Sequence, residues 1–344
     1  MPPRLDDRYE LTTDLLGSGN FGEVWRAEDT HQDQTVAIKL FRDHVALDAV
    51  LLEARAQTRL QPLLAHPHVL PLLNVVLKPP RPFIVMPYMP RGSVEAKLTG
   101  GNTNLVEAVR WARDALDGLA YVHGLGVLHR DVKPNNLLLD EHDRVRLSDF
   151  GIAEDTLKGS AGQMAYGAHQ APEFYLNGTT SAATDIWAMG CTLYRLITDN
   201  QYPFGSPLRV DDMLQGKFTP AQQVNPQVPL RLSSVVKTAL SVDPGDRFRS
   251  ALEMVGALSG CRIANGWSHE IDEGGRQLWR SAVSKGTYLM ELAGHGGRQE
   301  LSVCLRPRDG KAQRCVYRRK FTRPSDTKKE LRRLLLVVVD GGYI

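Results

Sequence analysis

Reactive side chains are concentrated in one short stretch of the sequence. In Leu128-His129-Arg130-Asp131-Val132-Lys133-Pro134-Asn135-Asn136, a carboxylate, an ammonium and an amide fall within six residues. Asp131 has the chemistry to orient a hydroxyl and accept its proton. Lys133 can meet a moving phosphoryl group, and the Asn136 amide can ligate a metal. Thirteen residues after Asn136 comes Asp149-Phe150-Gly151, behind the strand-like Val145-Arg146-Leu147. A carboxylate there can hold Mg²⁺ against phosphate oxygens.

Two further signals lie upstream. The first is Gly17-Ser18-Gly19-Asn20-Phe21-Gly22-Glu23-Val24. It sits between two strand-like segments, whereas a dinucleotide-binding fold wants a strand and then a helix. A flexible hairpin of this kind can lay backbone N–H groups over phosphates, although glycines also serve ordinary turns. The second is Val36-Ala37-Ile38-Lys39, 17 residues after Gly22. A lysine facing inward from an apolar strand needs an anion, because burying a lone charge is costly. Glu53, on the predicted helix that follows, is the obvious protein partner. The alternative is a lysine that snorkels to the surface.

Taken in order, these motifs resemble those of the eukaryotic-type serine/threonine protein kinases, in the soluble form also found in bacteria. Ala171-Pro172-Glu173, Asp185-Ile-Trp-Ala-Met-Gly190 and Arg247 in Asp243-Pro-Gly-Asp-Arg-Phe248 continue the series. The resemblance covers about residues 9–259, three quarters of the chain. It implies an α+β, bilobal protein-kinase fold with a small β-rich N-lobe and a larger helical C-lobe. It implies ATP and Mg²⁺ (or Mn²⁺) as cofactors and proteins with Ser/Thr acceptors as substrates, the chain itself included; the alternative is a kinase-fold scaffold that only binds partners, against which Lys39, Asp131, Asn136 and Asp149 together argue. By the same resemblance, Lys39 contacts the phosphates and pairs with Glu53. Asp131 is the catalytic base, Lys133 stabilises transferred charge, and Asn136 and Asp149 hold the metal. The nucleotide would lie against Gly17, Ser18, Gly19, Asn20, Phe21, Gly22, Val24 and Ala37. Met86 matches the gatekeeper, Pro87 and Met89 the adenine contacts, and Ser93 a ribose contact. Glu173 and Arg247 would form a buried pair, and Asp185 would brace the catalytic loop.

Three places depart from the family pattern, one of them an apparent insertion, Gln61-Pro62-Leu63-Leu64-Ala65, after the helix that bears Glu53. Pro87 stands where an acidic residue is usual; it lacks an N–H but keeps the carbonyl that adenine needs. The stretch Gly162–Glu173 lacks the usual glycine–threonine pair before its tyrosine, and Thr156 and Ser160 are the hydroxyls between Gly151 and Glu173 besides Tyr166.

The elements that must position these residues follow from periodicity. Tyr9–Leu16, Phe21–Ala27, Thr35–Phe41 and Phe83–Tyr88 have strand character. His44–Leu64, Leu105–His123, Ala182–Thr198, Leu230–Leu240 and Ser250–Leu258 have helical spacing. Phe150, Trp187 and Met189 read as core. His123, His142 and His169 read as surface or hydrogen-bonded residues.

Beyond Gly260 the texture changes. Residues 261–344 carry 17 Lys and Arg against 9 Asp and Glu, a net of +8, while residues 1–260 carry 25 against 30, a net of −5. The expected division is a kinase unit over 1–260 (N-lobe about 1–87, C-lobe about 88–260) and a small basic α+β domain over 261–344, regulatory or targeting in role. Three strands are expected there, Gln277–Leu292, Glu300–Arg306 and Arg314–Thr322, then a helix within Thr327–Val339. Tyr317 and Phe321 interleave with the cations of Arg314–Arg333, a pattern that suits nucleic acid and equally an acidic protein partner. The four cysteines (Cys191, Cys261, Cys304, Cys315) form no CxxC pair, and a reducing setting is expected. The longest late apolar run, Leu334–Val339, is six residues, far short of the roughly 20 a spanning helix needs, and a cytoplasmic protein is expected.

Overall fold

The computed structural model describes residues 4–19, 22–42, 66–77, 81–101, 103–150, 167–295, 298–309 and 311–344. Glu53 and its predicted helix lie outside the described residues, as do Asn20, Phe21, Thr156, Ser160 and Tyr166.

The first lobe is built on a six-stranded antiparallel sheet. Its strands are β1 (Arg4–Leu5), β2 (Tyr9–Ser18), β3 (Gly22–Asp29), β4 (Gln34–Phe41), β5 (Asn74–Val76) and β6 (Phe83–Pro87), in the order β1-β2-β3-β4-β6-β5. Alternation along β4 decides which side chains reach the site. Val36 and Ile38 join Tyr9, Leu11, Ala27, Phe83 and Val85 on one face. Ala37 and Phe41 join Leu70, Leu72, Ile84 and Met86 on the other. Lys39, with the parity of Ala37, is therefore carried on the second face.

The second lobe is helical. Its elements are α1 (Val94–Thr99), α2 (Leu105–Gly124), the two-stranded ribbon β7 (Leu137–Leu139) and β8 (Val145–Leu147), α3 (Pro172–Asn177), α4 (Ala182–Ile197), α5 (Val210–Leu214), α6 (Ala221–Val224), α7 (Leu230–Ala239) and α8 (Ala251–Ser259). Helix α2 begins in a capping box: Asn104 accepts from the Glu107 N–H while Glu107 accepts from the Asn104 N–H. Its apolar stripe buries Trp111, Ala115, Leu119 and Val122. Fourteen of the sixteen residues of α4 are buried, so it is the central helix of the lobe rather than a surface one. The four helices predicted in this lobe agree with the observed ones to within one residue at each end.

The last segment differs from expectation in its strands. It holds five strands, β9 (Ser268–Ile271), β10 (Gln277–Val283), β11 (Gly286–His295), β12 (Arg298–Pro307) and β13 (Arg314–Phe321), as a meander in the order β13-β12-β11-β10-β9. The single strand expected over Gln277–Leu292 is a hairpin turning at Ser284–Lys285, since strands of 16 residues are rare. The chain ends in α9 (Pro324–Val339). The link from the helical lobe is packed against it. Cys261 and Trp267 are buried, and the Ala264 N–H donates to the Val339 carbonyl. Trp267 N–H donates to the Gln227 amide oxygen, whose amide nitrogen donates back to the Trp267 carbonyl. Arg332 of α9 donates to the carbonyls of Gln222, Pro226 and Val228. One continuous apolar cluster runs from α2, α4 and α7 through Trp267 to Trp279, Tyr288, Leu301 and Leu335. Among the described residues no helix is long and apolar enough to cross a membrane.

Candidate active site

The site gathers where the second face of the six-stranded sheet meets the ribbon β7–β8 and the loop before it. Asp131 Oδ2 accepts from Lys133 Nζ at 2.7 Å and from Asn136 Nδ2 at 2.8 Å. Asn136 Nδ2 also donates to the Asp131 carbonyl at 2.8 Å. With its nitrogen committed, Asn136 presents Oδ1 as its remaining polar atom. The three groups read as one constellation in the sequence thus meet at the Asp131 carboxylate.

Lys39 Nζ lies 2.5 Å from Asp149 Oδ1. The lysine side chain is 8% exposed and the aspartate 38%, so the carboxylate opens toward the cleft. Burial alone pushes the Asp149 carboxyl up. Lys39, with smaller help from Lys133, outweighs that and holds it below the usual carboxylate range. Ser148 fixes this segment to the loop: its N–H and its hydroxyl both donate to the Asn136 carbonyl, at 3.0 and 3.2 Å.

Asp149 and Arg130 both hold left-handed backbone, at φ 59° and 67°. Residues other than glycine adopt it at a cost of about 1–3 kcal/mol, so the surroundings must impose it. Asp185, near the start of α4, does so for Arg130. One carboxylate oxygen accepts from the His129 N–H at 2.8 Å and the other from the Arg130 N–H at 2.7 Å. The His123 ring donates to the same carboxylate at 2.8 Å. His129 itself is fully buried beside Phe150. Burial lowers its pKa despite the nearby carboxylates, and its Nδ1 accepts from the Asp131 N–H at 3.3 Å.

The glycine-rich turn divides into two kinds of glycine. A Cβ on Gly22 would run into the Leu40 carbonyl, so packing alone requires glycine there. Among the described residues, a Cβ on Gly17 or Gly19 would meet no atom within 4 Å. These two positions leave room for close approach of a ligand to the backbone. Below the turn, Val24, Ala37, Met86, Met89 and Leu138 share one apolar cluster. Ala37 and Met86 are direct cross-strand partners. Such a slot suits a flat apolar ring. Ser93 is the N-cap of α1, its hydroxyl accepting from the Ala96 N–H.

The remaining expected pair is also formed. Arg247 and Glu173 make two parallel bonds of 2.7 Å, with the guanidinium fully buried. Arg247 donates further to the carbonyls of Ser241, Ala183 and Val242.

Two residues of the site escape reading by motif. Leu138 is the outward member of Leu137–Leu139, and its two-residue parity with Asn136 was the available signal. His123 sits at the end of a predicted helix, and nothing local ties it to Asp185, 62 residues away. The donors around the cleft are hard oxygens, the Asp149 carboxylate and Asn136 Oδ1. They fit Mg²⁺ or Mn²⁺ and do not suit a soft metal.

The fold and this cleft define a protein kinase domain. Residues 11–256 match the protein kinase domain family, and the chain belongs to it. The serine/threonine-protein kinase PknB of Mycobacterium leprae is 30% identical over 268 residues, 74% of this chain and 43% of that protein. CBL-interacting protein kinase 16 of Oryza sativa subsp. japonica is 32% identical over 252 residues, 70% of this chain and 54% of that protein. PknK of Mycobacterium tuberculosis (strain ATCC 25618 / H37Rv) is 33% identical over 272 residues, 75% of this chain and 24% of that protein. The chain spans about half the length of these relatives or less.

Proposed function

We propose that the protein transfers the γ-phosphoryl group of ATP to serine and threonine hydroxyls of proteins, itself included. The observation that carries this reading is the contact of Asp131 with both Lys133 and Asn136, directly beside the Lys39–Asp149 pair. Asp131 orients the acceptor hydroxyl and takes its proton as the new P–O bond forms. Lys133 offsets negative charge on the moving group. Lys39 places its ammonium on the phosphates, and Gly17 and Gly19 let the backbone close over them. Asn136 and Asp149 would hold Mg²⁺ or Mn²⁺, which would neutralise charge building on the phosphate oxygens. Val24, Ala37, Met86, Met89 and Leu138 would enclose the adenine.

Lysine two residues after Asp131, and the serine/threonine-kinase relatives, support hydroxyl acceptors of the aliphatic kind. The test is phosphate transfer from labelled ATP by wild type, Asp131→Ala and Asp131→Asn, with the labelled residues identified by mass spectrometry. Loss of transfer in both variants, with label on Thr156 or Ser160 in the wild type, is expected. Transfer at the wild-type rate by Asp131→Ala, or label on tyrosine alone, overturns the reading.

Residues 261–344 are proposed to regulate or target this activity through an acidic protein partner. Tyr317 and Phe321 do not present rings for base stacking. The Tyr317 hydroxyl donates to Glu330 of α9, and Phe321 is buried. Exposed cations remain in Arg314, Lys328 and Lys329, which suits carboxylates. Salt-sensitive binding of RNA or DNA by the full chain, with none of an acidic polypeptide, would reverse this choice.

A further inference from the structure

Two of the four cysteines stand opposite one another. Cys304 on β12 and Cys315 on β13 are cross-strand partners in the five-stranded sheet. Directly opposed residues of an antiparallel pair have Cα atoms about 4.5–5.5 Å apart, inside the roughly 4.4–6.8 Å that a disulfide spans. Both side chains lie on the face away from the core. Cys304 alternates with the buried Val303 and Leu305, and Cys315 is exposed.

The register is made by an irregularity. Val303 opposes Tyr317 while Cys304 opposes Cys315, so Val316 is an extra residue on β13. Without that bulge, Tyr317 and Cys315 could not both hold their observed positions, one turned to α9 and the other facing Cys304. The Cys315 thiol donates to the Tyr317 carbonyl at 3.2 Å, a weak bond that rotation about χ1 gives up. The other two thiols are differently placed. Cys191 and Cys261 are buried, and burial pushes both thiols up, away from the reactive thiolate.

We propose that Cys304 and Cys315 are a reversible redox pair that a low-molecular-weight disulfide such as oxidised glutathione converts to a cross-strand disulfide. The exposed Cys315 thiolate attacks one sulfur of glutathione disulfide, forming a mixed disulfide and expelling one glutathione thiolate. The Cys304 thiolate then attacks Cys315 Sγ and expels the second. Two protein thiols lose two protons and two electrons, and the oxidant leaves as two reduced glutathione molecules. The bond fastens β13, the edge strand that carries Arg314, Arg318 and Lys320, to β12. In a reducing compartment such a bond forms transiently, as a sensor does, rather than as a permanent staple.

The full chain is treated with oxidised glutathione, free thiols are alkylated, and the digest is mapped by mass spectrometry. The expected product is one linked peptide pair joining Cys304 to Cys315 within a single chain, lighter by two hydrogens and restored by dithiothreitol. Cys191 and Cys261 stay reduced. Cys304→Ser should convert the product to a stable glutathione adduct on Cys315, and Cys315→Ser should abolish reaction at Cys304 at the same oxidant level. Stable glutathionylation of wild-type Cys315 with Cys304 left free, a Cys315 bridge between two chains, or no reaction at either residue overturns the proposal.

Discussion

Lys39 and Asp149 meet at 2.5 Å across 110 positions of sequence. The contact joins the two lobes through charges of opposite sign. Each depends on a different framework. Lys39 is carried inward by strand parity. Asp149 is held in left-handed backbone by a segment whose Ser148 is bonded to Asn136. The polar centre is thus assembled from both lobes, and neither lobe alone presents it.

Replacing Lys39 with methionine or Asp149 with asparagine removes one half of that pair. Each change is expected to lower phosphate transfer by about 10²–10³, the usual loss for a preorganised charge in a site. The lobe cores do not depend on either residue, so melting should stay close to wild type. Initial rates with labelled ATP check this. A Lys39→Met protein with the wild-type rate would remove Lys39 from the site.

Asp185 holds the backbone of the loop before Asp131, accepting from the His129 and Arg130 N–H groups. Its replacement by alanine strands the His129 and Arg130 N–H groups in a dry setting, at about 1–3 kcal/mol for each lost acceptor. Arg130 would no longer be held at positive φ. Both melting temperature and transfer rate should fall. Asp185→Asn keeps the shape and one acceptor oxygen, and should recover stability more fully than rate. Equal recovery of both would show that Asp185 braces the fold and nothing more.

Breaking the Arg247–Glu173 pair from either side leaves a desolvated charge. The expected cost is about 3–5 kcal/mol for each single replacement by alanine. The double replacement should cost less than the sum of the two, since the second change removes the orphan left by the first. Denaturant unfolding of the two single variants and the double variant measures the coupling.

Much of this was legible because it is local. Asp131, Lys133 and Asn136 share one loop, so their contact needs no knowledge of tertiary structure. Lys39 became placeable through strand parity, and Asp149, Glu173, Asp185 and Arg247 through resemblance to a family. The tail offered no such guide. Tyr317 and Phe321 sit among arginines and lysines and look exposed when the cations around them are counted. Strand alternation, shifted by one residue at Val316, turns both rings inward. The β10–β11 hairpin was hidden because Ser284-Lys285-Gly286 lacks an Asn-Gly or Asp-Gly signal.

Acid should destabilise the protein through His129. Burial depresses its folded pKa below the ordinary 6.5. Below that value the unfolded chain binds a proton that the buried ring refuses. Stability from this source is therefore fully present above pH 6.5 and is lost as pH falls from there toward the folded value. One such group gives a slope of up to about 1.4 kcal/mol per pH unit within that window. His66, His169 and His269 are lowered as well, chiefly by burial, so the wild-type slope sums several groups. His129→Gln should flatten it measurably between pH 6.5 and 5. An unchanged slope in that variant would mean the ring is not excluded from protonation.

The last expectation concerns residues 261–344 and the link Ser259–Asn265 that joins them to the helical lobe. The structure buries that link. Trp267 is 2% exposed, its ring N–H donates to the Leu335 carbonyl, and its backbone exchanges two hydrogen bonds with Gln227 of the helical lobe. Arg332 satisfies three carbonyls of that lobe at once, at 2.9–3.1 Å. The two parts also share one apolar cluster. Limited proteolysis should therefore leave Ser259–Asn265 uncut while the rest of the chain stays folded. Trp267→Ala should cost about 3–5 kcal/mol, the range for emptying a large aromatic from a core. That change, rather than a direct cut in wild type, should make the link cleavable. A chain ending at Gly260 would strip Gln227 and the carbonyls of Gln222, Pro226 and Val228 of their partners Trp267 and Arg332 and should aggregate or melt early. Rapid wild-type cleavage at Ser259–Asn265 into two resistant fragments would show that the parts fold separately and that the Trp267 contacts are not what joins them.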